Sequence, residues 1–288
     1  MLVLKKNQEL LPNDQKQNSP RLKSESSLLV KRDGGVLTLC FNRPQVLNAL
    51  NKELSLALLE AVQEAEFDPA VRCLVLTGEG AGFMSGGDIQ LFGETLNLSP
   101  QERKARFHTF IQHVHPTILS LKRMPKPVIA SVNGVAAGYG LSLMMACDLS
   151  IASTKSSFSM AYSRMGLSPD GGATYFLPRL VGQQKAMSMA LLGETLSAEE
   201  ALACHLVTKI VSHDTLETET KQLADKLAEG PGYAYARTKE LIQSSFDDTL
   251  PHHLYKEENS FADCTASYDF TEAAMAFLEK RLPKFNGR

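Results

Sequence analysis

Cysteine is scarce and irregularly placed. The five cysteines of this 288-residue chain, Cys40, Cys73, Cys147, Cys204 and Cys264, are widely spaced and odd in number, and none forms a C-x-x-C pair. That pattern argues against a disulfide framework and against a thiolate zinc site, so no metal is expected. It suits a reducing compartment, and a cytoplasmic location is expected. Cys40, Cys73 and Cys147 fall in apolar stretches and read as buried thiols. No apolar run reaches the ~18 residues that span a bilayer, so no membrane association is expected. No long basic run stands out and the net charge is −2, which argues against nucleic-acid binding through phosphate neutralisation. Residues 1–26 are rich in Lys, Gln, Asn and Ser and lack the apolar core of a secretory signal. They read as a flexible arm, and Glu9, Asp14 and Glu25 spoil the acid-poor pattern of an organelle-targeting segment.

What the chain does have is a core. Hydrophobic residues make up 43%, enough for a globular protein of one large domain or two modest ones. Residues 28–31 and 35–41 read as strands around the turn Asp33-Gly34-Gly35. Asn51 is placed to cap a helix to about Phe67, with Leu54, Leu58, Val62 and Ala65 on one face. The runs 71–77 and 127–132 lack polar alternation, as in strands covered on both faces. Ser99 and Pro100 open a long helix to about Lys122, and 138–146 reads as a short apolar helix. Short strands are expected at 149–152 and 158–161. This alternation predicts an α/β core. From Gln183 onward the helical period dominates, with helices at 183–192, 197–204, 215–229, 233–245, 252–267 and 270–281. Gly230-Pro231-Gly232 is a plausible hinge. It divides a core of 27–230 from a helical part of 231–288.

Two loops share one design. Gly82-Phe83-Met84-Ser85-Gly86-Gly87-Asp88 and Asn133-Gly134-Val135-Ala136-Ala137-Gly138-Tyr139-Gly140 each follow a buried strand, carry glycines and lead into a helix. Glycine admits close backbone approach. A helix start leaves N–H groups unpaired and favours negative charge. Two such donors converging on one oxygen make an oxyanion hole. Glycine loops after strands are also common in any α/β protein, so the design alone leaves function open. Neither loop has the Gly-Lys-Ser/Thr of a phosphate loop, and Gly138-x-Gly140 lacks the third glycine of the dinucleotide pattern. A lone acid, Asp170, sits between Pro169 and a glycine pair that opens a helix, where Asp often serves as an N-cap. Asp88 reads as a cap or brace of the first loop. His113-Val114-His115 reads as part of a helix face.

The stretches NRPQVLNAL, VLTGEGAGFMSGGDI, KPVIASVNGVAAGYGLSLMMACDL and GLSPDGGATYFLPRLVG resemble, in order, motifs of the crotonase (enoyl-CoA hydratase/isomerase) family. The ending AAMAFLEKRLPKF resembles its C-terminal helix, so the likeness covers about 27–285. The resemblance implies a spiral of β-β-α turns with a helical trimerisation part. It implies an acyl-CoA thioester as substrate, with no cofactor beyond that coenzyme A. Position by position, the oxyanion donors are the N–H groups of Gly87 and Tyr139, the latter where glycine is more usual. The two glutamates that handle water in the family's hydratases are matched by Ser142 and Tyr162, and neither is a carboxylate. Asp170 falls where single-aspartate isomerases and a chlorobenzoyl-CoA dehalogenase carry their catalytic acid. His115 resembles the dehalogenase's general base in placement, and Tyr162 an aromatic of its pocket. Phe277 and Lys280 match residues that touch coenzyme A in some relatives, although their simpler reading is a core Phe and a solvated Lys. The implied assembly is a homotrimer or hexamer. The preferred activity is isomerase-type proton transfer by Asp170. The alternatives are hydratase-like activity, dehalogenation or hydrolysis through an Asp170 ester, and an idle acyl-CoA binder.

Overall fold

The computed structural model describes residues 26–287. All but the last residue of the expected N-terminal arm falls outside the described residues. The chain opens with a hairpin, β1 (Leu28–Asp33) and β2 (Val36–Phe41), turning at Gly34-Gly35. Helix α1 (Lys52–Phe67) follows, its first turn capped by Asn51 Oδ1, which accepts from the Leu54 N–H at 2.9 Å. Strands β3 (Cys73–Gly78) and β4 (Gly82–Met84), a short α2 (Ile89–Gly93) and the long α3 (Pro100–Arg123) come next. Ser99 and Glu102 close a reciprocal capping box at the start of α3. The next turn of the spiral is β5 (Val128–Val132), β6 (Val135–Ala137) and α4 (Tyr139–Ala146). Then come β7 (Leu149–Ser153), β8 (Ser157–Ser159), α5 (Ala173–Val181), α6 (Gln183–Leu192), β9 (Thr195–Ser197), α7 (Ala198–Ala203), β10 (Lys209–Val211) and α8 (Leu216–Ala228). Three helices finish the chain: α9 (Gly232–Ser244), α10 (Leu250–Thr265) and α11 (Tyr268–Leu278).

The strands sort into two sheets. One runs β1-β2-β3-β5-β7-β10 and the other β4-β6-β8-β9. Apart from the β1–β2 hairpin and the β8–β9 pair, all pairings are parallel. Each turn of the spiral therefore places one strand in the first sheet and the next in the second, then returns through helix. The period of two along a strand decides which layer each side chain enters. Leu74, Leu76, Val128 and Ala130 point into the main core with α1 and α3, while Cys73, Val75 and Ile129 meet Ala224 and Ala228 of α8. The large sheet is thus covered on both faces, which is why its central strands carry no polar alternation.

Three corrections follow. The glycine-rich stretch expected as one loop contains the strand β4, fully buried and paired with β6. The region after Gln183 is not wholly helical, since β9 and β10 lie in it. Cys40 is half-buried rather than buried, with its thiol 3.4 Å from Glu79 Oε1. All five cysteines are unpaired with one another, and burial pushes the thiols of Cys40 and Cys73 up to about 12, which removes them as nucleophiles at neutral pH.

Helix α9 is fastened to the core by Lys239. Its ammonium donates to the Leu121 and Lys126 carbonyls and to the Asp148 carboxylate, the last at 2.7 Å. Helices α9 and α10 bury no residue, and Ile242, Phe246, Leu254, Phe261, Phe277 and Leu278 are exposed. Such a run of uncovered apolar side chains is typical of a face made for another surface. Among the described residues no helix is long and apolar enough to cross a membrane.

Candidate active site

The NRPQVLNAL stretch works as a buckle. Asn48 is fully buried with φ 58°, and its side chain ties three strands of chain together. Its Oδ1 accepts from the Arg43 N–H at 2.8 Å, and its Nδ2 donates to the carbonyls of Glu79 and Gly82 at 2.9 and 2.7 Å. Arg43 in turn pairs with the buried Asp88 at 2.8 Å and donates to the Ala49 carbonyl. Asp88 caps α2 by accepting from the Gln90 N–H at 3.0 Å. Leu50 then pins the loop after β4. Its N–H donates to Gly86 O at 2.7 Å, and its carbonyl accepts from the Asp88 N–H at 3.0 Å. Gly87 lies between these two bonds, so its own N–H is left over.

The second loop is built the same way. The Gly138 N–H donates to Ser159 O at 3.0 Å, and Tyr139 is the first residue of α4, where a helix N–H has no partner of its own. Neither the Gly87 nor the Tyr139 N–H has an acceptor among the described residues. The loops touch at Gly86. With φ +105°, Gly86 adopts a backbone that side chains disfavour, and a Cβ there would lie 3.3 Å from Ala137 O and 3.7 Å from Tyr139 N.

The phenol of Tyr139, where glycine is usual in the family, is accommodated by a second glycine. Tyr139 is buried, its hydroxyl 3.5 Å from Val114 O, and Gly171 lies against its ring. A Cβ on Gly171 would come within 2.8 Å of that ring, and its φ of +59° is itself a glycine conformation.

Ser142 lies three residues after Tyr139 on α4, so it faces the same side about 4.5 Å further along the axis. It is fully buried, and its hydroxyl donates to Asp170 O at 3.0 Å and lies 3.1 Å from the Tyr162 hydroxyl. Tyr162 donates to Asp170 Oδ1 at 2.6 Å. Asp170 Oδ2 has no hydrogen-bond partner among the described residues. The alternative reading of Asp170 as a helix cap is not what the structure has. Gly172 occupies the N-cap of α5 with no side-chain bond, and Asp170 contributes only its main-chain carbonyl, accepting from the Ala173 N–H at 3.1 Å. Its carboxyl is turned away from the helix and toward the phenol.

Burial raises the Asp170 pKa above the ordinary carboxylate range, opposed by the Tyr162 hydrogen bond and by the charge of His115. Burial also pushes Tyr162 upward, with the Asp170 charge acting in the same direction, so this phenol is a donor and not a base. His115 is exposed on α3 and makes no hydrogen bond to Asp170. Phe277 is 83% exposed, so the expected core phenylalanine is overturned. Neither it nor the exposed Lys280 is joined to this cluster by a hydrogen bond or ion pair. Among the described residues no group of three His, Cys, Asp or Glu side chains is placed to hold a metal.

The link from Tyr162 to Asp170 was not visible as a motif. Seven residues, a short 3-10 turn and then irregular chain, separate the two, and no periodicity reports such a contact. The one local signal was the pair Gly171-Gly172, whose positive φ values turn the chain so that the Asp170 carboxyl leaves the helix start.

A proton taken from a carbon beside a thioester leaves negative charge on the thioester oxygen. Unpaired N–H groups at Gly87 and Tyr139, with Ser142 one helical turn on bonded to the carbonyl of a half-buried acid that has a free carboxyl oxygen, are parts that suit such a reaction. Comparison with known proteins gives the family. The family profile described as enoyl-CoA hydratase/isomerase matches residues 31–288. The 1,2-epoxyphenylacetyl-CoA isomerase of Escherichia coli is 39% identical over 255 residues, covering 88% of this chain and 96% of that protein. The 4-chlorobenzoyl coenzyme A dehalogenase-2 of Arthrobacter sp. is 32% identical, with 90% and 93% covered. The solved structure of an enoyl-CoA hydratase from Polaromonas sp. superposes with a TM-score of 0.84 at 35% identity, covering 90% of this chain and 99% of that one. The chain belongs to the enoyl-CoA hydratase/isomerase family, with the crotonase fold.

Proposed function

We propose that this protein is an acyl-CoA isomerase that moves a proton along an unsaturated or ring-bearing acyl chain, with Asp170 as its single acid/base. The observation that carries the reading is the half-buried Asp170 carboxyl, held by Tyr162 on one oxygen and free on the other. Asp170 takes a proton from the carbon next to the thioester. The electron pair moves into the thioester oxygen, which the Gly87 and Tyr139 N–H groups receive as an oxyanion. The pair then returns through the conjugated system, and Asp170 delivers its proton two carbons further along. A raised carboxyl pKa suits this work, because the group must both accept and release a proton near neutral pH. The Escherichia coli relative, itself named an isomerase, supports the same reading. So does the absence of a carboxylate at Ser142 and Tyr162, which leaves no second acid to steer water. The uncovered apolar side chains of α9 to α11 support assembly as a homotrimer or hexamer.

The test is a paired assay. A 3-enoyl-CoA should be converted to its 2-enoyl isomer, with incomplete deuterium uptake in heavy water because one carboxyl carries the same proton from carbon to carbon. Hydration of crotonyl-CoA should be slower by about 10²-fold, the usual size of a missing acid/base group. A hydration kcat/KM near the ~10⁸ M⁻¹s⁻¹ diffusional range would overturn the proposal. A second reading, in which Asp170 forms an ester later cleaved by water under His115, draws on the reach of the His115 charge to Asp170. It yields no double-bond isomer, so the same assay separates the two.

Tyr162→Phe removes the hydrogen bond that opposes the burial of Asp170. The Asp170 pKa should then rise further, and the acid limb of the kcat/KM profile should move to higher pH. Turnover at neutral pH should fall several-fold, and acyl-CoA binding should hold. An unmoved acid limb would show that Asp170 is not the titrating base.

A further inference from the structure

A cavity of about 940 Å³ lies against the chain just after Asp170. Gly171 and Gly172, the chain neighbours of Asp170, form part of its wall, and so does His115. From there it runs between α3, α5 and α9. Most of the lining is apolar, with Ile118, Leu119, Phe176, Ile242 and Phe246 prominent. The polar groups in it are therefore informative.

Three of the charged ones are already matched. Asp148 and Lys239 pair with each other at 2.7 Å. Arg179 stacks on the Tyr175 ring with 3.6 Å to the centroid and donates to the Tyr175 carbonyl at 2.8 Å. Two unmatched groups stand out, one for its charge and one for its burial. The Lys122 ammonium makes no ion pair and no hydrogen bond among the described residues, its one specific contact being the face of Phe176 at 5.4 Å. The Gln243 side-chain nitrogen is buried and has no acceptor. Both are donors, and one is charged.

A cation in an apolar wall with neither an ion pair nor a hydrogen bond is costly. Burial accordingly depresses the Lys122 pKa, although the Asp148 charge opposes the shift. The cost disappears if the occupant of the cavity brings an acceptor. Lys122 lies seven residues after His115 on α3, two turns along the same face, so the two residues are about 10 Å apart along the helix axis. A chain entering beside Asp170 has room to extend along α3 before it meets Lys122.

We propose that the acyl group of the substrate runs past Asp170 into this cavity and ends in a carboxylate that Lys122 and Gln243 receive. The substrate class is then an acyl-CoA with a second acid at the far end of its chain. This rests on the reading of the Asp170 site as the place where the thioester reacts. It does not depend on which reaction occurs there.

Binding of two saturated probes tests the proposal without turnover. Octanoyl-CoA and suberyl-CoA share the coenzyme A and chain length and differ in a terminal methyl against a terminal carboxylate. By titration calorimetry the wild-type protein should bind suberyl-CoA about ten-fold tighter or more, the effect of one charge-assisted hydrogen bond. Lys122→Met should abolish that preference and leave octanoyl-CoA within a few-fold of wild type. Lys122→Arg should retain it, which guards against a fold defect in the first variant. Equal binding of the two probes by the wild type would overturn the proposal, as would a preference that survives Lys122→Met. A cavity filled in solution by an acidic side chain of a second copy gives the first of these results. Asp170→Asn should keep the preference, so the failure of the isomerase reading and the failure of this one are distinguishable.

Discussion

Asp170→Asn is expected to lower kcat on a convertible enoyl-CoA by at least ~10²-fold, the usual contribution of a positioned acid/base. The melting temperature should not fall. Asp170 does not cap α5, so no capping bond is lost. The sign of the pH effect follows from burial. The folded-state pKa of Asp170 is raised, so the protonated carboxyl is the form that folding prefers. Its contribution to stability is fully present below the ordinary carboxylate pKa and is lost as the pH rises through the raised folded value. Asparagine carries no such loss. The variant should therefore melt at the same temperature as wild type or higher at pH 7–8, and the difference should close near pH 4. Differential scanning calorimetry at the two pH values, alongside steady-state kinetics, checks both halves. Intact turnover with a lowered melting temperature would leave the protein without a base and favour an acyl-CoA binder that performs no chemistry.

Tyr139→Pro should cost about 10²–10³ in kcat, or ~2.7–4 kcal/mol of barrier, by deleting one oxyanion donor. The position makes a backbone test possible. Tyr139 is the first residue of α4, and proline is tolerated there because that N–H bonds nothing in the helix. Gly138 precedes it and has no Cβ to clash with the proline ring. Tyr139→Ala is the matched control, since it also loses the buried ring but keeps the N–H. The two variants should be similarly destabilised in denaturant titrations, yet only the proline should lose turnover by the stated factor. Equal turnover in both would remove Tyr139 from the hole.

Much of this architecture was legible because its signals are local. Asn51 and the Ser99–Glu102 pair announce their helices through bonds that span three residues. The stretch Val128–Val132 shows its double burial in its composition. By contrast, β4, β6 and β9 are three residues long, too short for any period, and exist because distant chain supplies their partners. The aspartate was legible as an important acid but ambiguous in role. A cap and a catalytic carboxyl look alike until the Tyr162 hydroxyl is placed beside it. For Phe277 only the simpler reading as core failed, because an aromatic within a helical period looks like core and nothing local tells core from an exposed face. Lys122 gave no signal at all. A lysine near the end of a helix is ordinary, and only the cavity shows that it lacks a partner.

The two donors proposed for the thioester oxygen are main-chain atoms, and that has a hereditary consequence. Point mutation replaces side chains, and only proline deletes an N–H. A lineage carrying this hole can exchange Ser142, Tyr162 or Asp170 for other residues and still polarise a thioester, because no codon encodes the hole directly. The loop glycines and the Asn48 buckle are what it has to inherit intact. New reactions in such a lineage then cost a few substitutions at three positions, while the most demanding part of the catalyst is passed on as shape.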